Sequence, residues 1–281
     1  MIRVGPAGWA YKDWNGKVYP ERPPKDFGPL TFLARYFDTV EINTSYYGPF
    51  KAETAAAWAE QVAANARFRF TAKLYRGFTH TREVTKDEEA LVHAGFDFLL
   101  QRELLGAVLL QFPSSFHETK ENREYMIQLR NRFRDYPLVL EVRHTSWNEV
   151  GVLDFLASLG ISLCNIDQPL FKKSIAPSAL VTAPVGYVRL HGRNYKSWWT
   201  ENKHVGERYD YLYTPKELDP WIDRIHAIAE RAEDTYVVTN NHYLGKAVVN
   251  AVEITSLLTG EPAQAPATLF ESYPELREYA K

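Results

Sequence analysis

The stretch DTYVVTNNH, residues 234–242, runs as an apolar strand and then ends abruptly on two amides and an imidazole. The same construction recurs upstream. VGYVRLHGR (185–193) ends on Arg189 and His191, ISLCNIDQP (161–169) on Asn165 and Asp167, and PLVLEVRH (137–144) on Glu141 and Arg143. RFRFTAKL (67–74) carries Thr71 and Lys73, and TVEINTSYY (39–47) carries Glu41 and Asn43. With IRVGPAGW (2–9) and LGAVLLQFP (105–113) the candidate strands number eight. Between most of them lie segments of helical period, among them ETAAAWAEQVAA (53–64), KDEEALVHAGFDFLLQREL (86–104) and PKELDPWIDRIHAIAERA (215–232). Repeated strand–helix alternation predicts a single α/β domain, a (β/α)₈ TIM barrel with a parallel eight-stranded core. The competing pattern, an open doubly wound sheet, would be marked by a GxGxxG opening the first helix, and GPAGW is a different glycine arrangement. No linker or composition break divides the chain, so the barrel is expected over residues 1–260 and a C-terminal surface tail over 261–281.

Composition narrows the function classes. A formal charge of −2, from 33 Lys and Arg against 35 Asp and Glu, argues against a surface built for non-specific nucleic-acid binding. One cysteine, Cys164, excludes an internal disulfide framework and any CxxC zinc site. No apolar stretch approaches the about 18 residues of a membrane span, and the start lacks a secretory pattern. The expectation is a cytoplasmic protein without membrane partners; the sequence is silent on oligomeric state.

Side chains two apart on a strand share a face, and barrel enzymes build their sites at the C-terminal strand ends. The polar pairs above therefore mark the candidate site. Glu41, Lys73, Glu141, Asp167 and His191 are the candidate catalytic groups; Asn43, Arg143, Arg189, Asn240, His242 and, on the alternate face, Asn241 are candidate substrate contacts. Aromatic residues in the first and seventh strand-to-helix loops, above all Trp9, Trp198 and Trp199, could stack a flat ring or a sugar. Alternation places Cys164 opposite Asn165 and Asp167, facing the helices if those two face inward.

The motifs GPAGWAYKDWNGKVYP (5–20), VEINTSYYGP (40–49), FTAKLYRGFTH (70–80), LLQFPSSF (109–116), LEVRHTSW (140–147), YVRLHGR (187–193), YDYLY (209–213) and NNHYLGKAVVNA (240–251) together resemble the YecE-like family, domain of unknown function 72. The resemblance spans nearly the whole chain and implies a TIM barrel. It implies no reaction, although barrels of this family are sometimes likened to endonuclease IV and xylose-isomerase-type folds. The chain departs from the family pattern at Pro6, where a small hydroxyl residue is commoner.

Residue types order the chemistry. Cations interleaved with the acids would compete with a metal, so no metal or other cofactor is expected; an endonuclease-like metal site would have to use Glu41, Glu141, Asp167 and His191. Arginines on separate strands suit an anionic small molecule, so the leading expectation is an enzyme for a phosphate- or carboxylate-bearing, possibly nucleic-acid-derived, substrate. Arg143 and Arg189 would clamp the anion, Glu141 or Glu41 would act as base and His191 as acid. A non-catalytic module gripping single-stranded nucleic acid is the second expectation. Schiff-base chemistry at Lys73 ranks last, because nearby acids would hold the amine charged.

Overall fold

The computed structural model describes residues 1–196, 198 and 208–281. Eight parallel strands form one sheet: β1 (Ile2–Pro6), β2 (Thr39–Ile42), β3 (Arg69–Lys73), β4 (Leu105–Gln111), β5 (Leu138–Glu141), β6 (Ser162–Asp167), β7 (Val185–Leu190) and β8 (Asp234–Thr239). Helices α1 (Pro29–Leu33), α2 (Ala52–Val62), α3 (Lys86–Gln101), α4 (Lys120–Arg132), α5 (Val150–Ser158), α6 (Pro215–Ala229) and α7 (Lys246–Thr259) cover the outside. The TIM-barrel expectation holds. Strands β2, β5 and β6 are buried along their whole length, as helices outside and side chains inside require of a parallel barrel. Local signals start the outer helices where the sequence places them. Thr85 and Glu88 form a capping box at α3, and Thr214 with Glu217 does the same at α6, where Pro215 occupies the first turn.

Strand β1 pairs with β8 from Ile2 opposite Thr235 to Pro6 opposite Thr239. Its join to β2 is slighter. Ala7 bridges Glu41, and the Gly8 amide donates to the Glu41 carbonyl at 2.8 Å. The approach depends on glycine, because a Cβ on Gly5 would stand 1.9 Å from the Thr39 carbonyl oxygen.

One crossover departs from strand–helix alternation. Between β6 and β7, residues 168–184 form no helix, and the connection is held instead by Asn165. The Asn165 amide donates to the Leu180 carbonyl at 2.9 Å, and its oxygen accepts from the Leu180 amide at 2.7 Å and the Ser178 hydroxyl at 2.8 Å. The segment 261–281 is also more than a trailing surface strand. It folds into α8 (Leu269–Ser272) and a final turn, buries Leu269 and Leu276, and ties Thr268 to the Val18 carbonyl and Tyr273 to the Leu244 carbonyl. It thereby braces the β1 and β8 loops beside the barrel mouth. No helix among the described residues is long and apolar enough to cross a membrane.

Candidate functional site

The strand ends do bring charges together inside the barrel, in two tiers. In the lower tier Arg189, with no exposed surface, donates Nε and Nη2 to the two Glu41 oxygens at 3.0 and 2.6 Å and Nη1 to Glu141 Oε2 at 2.6 Å. Tyr187, two residues earlier on the same face, donates its hydroxyl to Glu41 Oε2 at 2.9 Å. Arg143 Nη2 reaches Glu141 Oε1 at 3.1 Å while its Nη1 donates to Gln168 Oε1 at 2.7 Å. Two carboxylates thus face two guanidinium groups. Arg189 and the other cations around Glu141 hold its carboxyl well below the usual range despite the opposing effect of burial. His191 sits over this tier, fully buried, with Nδ1 3.0 Å from the Asn240 amide and Nε2 3.1 Å from Glu141 Oε1. That second approach lacks hydrogen-bond alignment. Burial lowers the His191 pKa to about 4, so the ring is neutral at neutral pH.

The upper tier is a cleft with three adjoining lobes. The first, about 460 Å³, is lined by rings from the loops after β1, β2, β7 and β8 and from α2, and by the amides Asn43 and Asn240. Its Trp9 packs edge-on against Trp58, with centroids 5.4 Å apart, and Tyr11 stacks on His242 at 4.4 Å. Tyr11 takes that position because Gly8, at φ +77°, leaves room for it: a Cβ there would lie 2.6 Å from its hydroxyl. The second lobe, about 350 Å³, carries Lys73, His80, Arg143 and Arg208 beside Tyr46, Gln111, Ser114 and Trp198. Lys73, Tyr47 and Tyr209 belong to both. A third, about 180 Å³, continues past Arg143 to His144, Gln168 and Lys173. Among the described residues none of the three lobes is lined by an aspartate or glutamate. Four buried polar atoms on these walls lack a hydrogen-bond partner among the described residues: Asn43 Oδ1, His242 Nδ1, Gln168 Nε2 and His144 Nε2. Buried polar atoms are ordinarily satisfied, so such a cluster on cavity walls points to a ligand.

Lys73 stands where the first two lobes meet. The turn after β2 is pinned to it by Ser45, whose hydroxyl donates to the Lys73 carbonyl at 2.7 Å. Its ammonium nitrogen lies 4.6 Å from the centre of the Tyr46 ring and has no ion pair or hydrogen bond among the described residues. Burial first, and the Arg189 charge second, lower its pKa to about 8; Glu41 and Glu141 oppose the shift without cancelling it. The ranking of Lys73 chemistry last assumed that those acids hold the amine charged. They are instead engaged by Arg189 and Arg143.

Other expectations are redistributed by the geometry. Asp167 does not face the mouth: its oxygens accept from Arg193 at 2.8 and 2.6 Å, Tyr213 at 2.8 Å and Trp221 of α6 at 2.7 Å. Asn165 shares that outward face, and so it is Cys164 that meets the field of Glu141 and Arg189 within the barrel, its thiol pushed well up by burial. With Asp167 turned away and Glu41 and Glu141 held by arginine, the four candidate metal ligands do not form one set. Arg189 is sealed beneath the cleft and cannot join Arg143 in clamping an anion. Glu41, Glu141 and His191 likewise lie behind the cleft walls rather than on them. Asn241 faces outward, donating to the Tyr211 carbonyl at 2.8 Å and Asn250 at 2.7 Å. Trp198 is 6 % exposed and packs between Arg143 and Arg208, with cation–ring distances of 5.2 and 5.9 Å. Trp199 lies outside the described residues.

Sequence reasoning passed over Trp58, Gln111 and Arg208. Gln111 offered the same signal as its neighbours, a polar residue closing an apolar run, but without a partner two residues before it. Trp58 and Arg208 project from α2 and from a long loop, where strand periodicity has no purchase.

Comparison with known proteins bears on the whole of this architecture. Residues 3–274 match the family described as protein of unknown function DUF72, and the chain belongs to that family. A curated relative, UPF0759 protein YunF of Bacillus subtilis (strain 168), is 29 % identical over 273 residues, covering 92 % of this chain and 95 % of its own. The crystal structure of a DUF72 protein from Thermotoga maritima MSB8 is similar at TM-score 0.80, with 31 % identity over 92 % of this chain and 99 % of its own. A second, from Enterococcus faecalis V583, gives TM-score 0.79 with 26 % identity over 92 % and 96 %.

Proposed function

We propose that this DUF72-family barrel is an enzyme for a small substrate bearing a phosphate or carboxylate, acting by proton transfer at Lys73. The observation that carries this reading is the division of charge at the mouth: Lys73, Arg143, Arg208 and Lys173 line the cleft, while both carboxylates lie sealed behind Arg189. Such a surface attracts an anion, and among the described residues no acid stands on the walls to repel it. Arg143 presents a planar fork whose orientation is fixed by Gln168, Glu141 and the Trp198 ring. Lys73 lines the cleft and changes protonation near neutrality: with a pKa of about 8, roughly a tenth of it is neutral at about pH 7. The acid–base roles expected for Glu41, Glu141 and His191 therefore pass to Lys73, and the buried ion pairs become the scaffold that keeps it uncompensated.

A single-stranded nucleic-acid module is the weaker reading, because Trp198 is packed between two arginines rather than offered to a base. Thermal unfolding separates the two. Inorganic phosphate, glucose 6-phosphate, a nucleoside monophosphate and oxalate are compared with a short thymidine oligonucleotide, for the wild type and Arg143→Ala. A ligand about a hundredfold above its Kd adds about 2.7 kcal/mol, or roughly 5 °C in a protein of this size. The expected result is such a rise with a small anion, lost in Arg143→Ala. No rise with any small anion, or one that the variant retains in full, refutes the assignment; a rise with the oligonucleotide alone, falling steeply with salt, replaces it with the second reading.

A further inference from the structure

We infer that Lys73 forms an imine with a carbonyl substrate whose anionic group lies in the Arg143–Arg208 lobe and whose carbon body occupies the aromatic lobe. This rests on the anionic-substrate reading above and goes beyond it, from proton transfer to covalent chemistry.

Three observations converge on the amine. It sits at the junction of the two lobes, so a ligand spanning both passes over it. Its nitrogen has no carboxylate partner among the described residues, because Arg189 takes both oxygens of Glu41 and one of Glu141. The adjacent guanidinium and the apolar walls favour the neutral amine, the two devices by which a lysine becomes a nucleophile. The polar groups placed around it suit the intermediate. Asn43 Oδ1, without a partner among the described residues and on the same cavity wall, is an acceptor for the iminium N–H or for a substrate hydroxyl. Among the described residues no aspartate or glutamate lines the lobes to hold the amine protonated.

The step balances with water as the only by-product. The Nζ lone pair forms the C–N bond while the carbonyl π pair moves to oxygen, which takes a proton. The amine loses one proton to solvent, the carbinolamine hydroxyl is protonated and leaves as water, and the nitrogen lone pair closes the iminium. Amine, carbonyl and one proton thus give iminium and water. The iminium then draws electrons from the neighbouring carbon, so the reactions it serves are those that break a bond to hydrogen or carbon beside a carbonyl.

Pyridoxal 5′-phosphate is the probe that matches the site, a flat aldehyde with a phosphate, and pyruvate is the second. Each is incubated with the full chain, reduced with sodium cyanoborohydride, and the adducts are mapped by peptide mass spectrometry. The expected result is modification at Lys73 at least about tenfold above any surface lysine, saturable, suppressed by excess inorganic phosphate and weakened in Arg143→Ala. Its rate should rise with pH, half-maximal near pH 8 and level above about pH 9, following the amine of Lys73 rather than an ordinary lysine. Modification spread evenly over surface lysines with both probes, or a Lys73 adduct indifferent to phosphate, overturns the imine. The melting experiment above keeps the two proposals distinguishable: a phosphate shift lost in Arg143→Ala without any Lys73 adduct refutes the imine alone, whereas no anion shift refutes both.

Discussion

Replacing Lys73 with methionine keeps much of the side-chain volume and removes a charge that the fold disfavours. The ammonium pKa falls from 10.5 to about 8 on folding, chiefly through burial. The sign follows directly. Below the folded value both states are protonated, and the native state bears the full penalty of holding the charge. As pH rises through about 8 the native amine loses its proton first, the penalty is relieved, and it disappears above the unfolded value of 10.5. A shift of this size corresponds to about 3 kcal/mol near pH 7 and falls to about 1 kcal/mol near pH 10. Lys73→Met should therefore be more stable than the wild type by about 3 kcal/mol at pH 7, and that advantage should shrink by about 2 kcal/mol as pH is raised to 10. Urea unfolding of both proteins at several pH values measures it. Taking the difference between them cancels tyrosine and other lysine titrations, and any packing gain from methionine appears as a constant offset. A difference that stays flat between pH 7 and 10 would mean that the amine is solvated and charged throughout, removing the basis for a reactive Lys73.

Two further outcomes test the frame beneath the cleft. Glu41→Gln removes the charge that receives two of Arg189's hydrogen bonds and leaves the buried guanidinium facing Glu141 alone. A loss of about 3–5 kcal/mol is expected in urea unfolding, and a loss under about 1 kcal/mol would show that the tier is dispensable. Gly5→Ala would place a methyl 1.9 Å from the Thr39 carbonyl and force β1 away from β2. A destabilisation of about 3 kcal/mol is expected in a thermal melt read as free energy, and an unchanged midpoint would mean that the join is looser than its geometry.

Much of the fold was legible because a parallel barrel strand is a short apolar run with a polar end, a signal that survives in one sequence. The interior pairs of β2, β3, β5 and β7 were legible for the same reason: Glu41, Lys73, Glu141, Arg189 and His191 all close such runs. The misplaced strand is β6. Period-two alternation tells which residues share a face but not which face turns inward, and β6 is buried on both sides, so polarity does not distinguish them. Asp167 turned outward because Arg193, Tyr213 and Trp221 together satisfy it there. Lys73 was undervalued for a different reason. Its neighbours could be named from sequence, but whether they were already engaged depends on the two-pronged fit of Arg189 to Glu41, which is a matter of geometry.

The slight β1–β2 join has a consequence for how the chain is made. Strand β1 is the first to be synthesised, yet its extended pairing is with β8, Ile2 opposite Thr235, more than two hundred residues later in translation. Strands β2 to β7 can assemble meanwhile as an open sheet, and they already hold Glu41, Glu141 and Arg189. The interior charges are thus able to find one another on the nascent chain before the barrel can shut. Until β8 emerges, the outer edges of β2 and β7 stay unpaired, and that interval is when a truncated or stalled polypeptide is most exposed to sticking edge to edge.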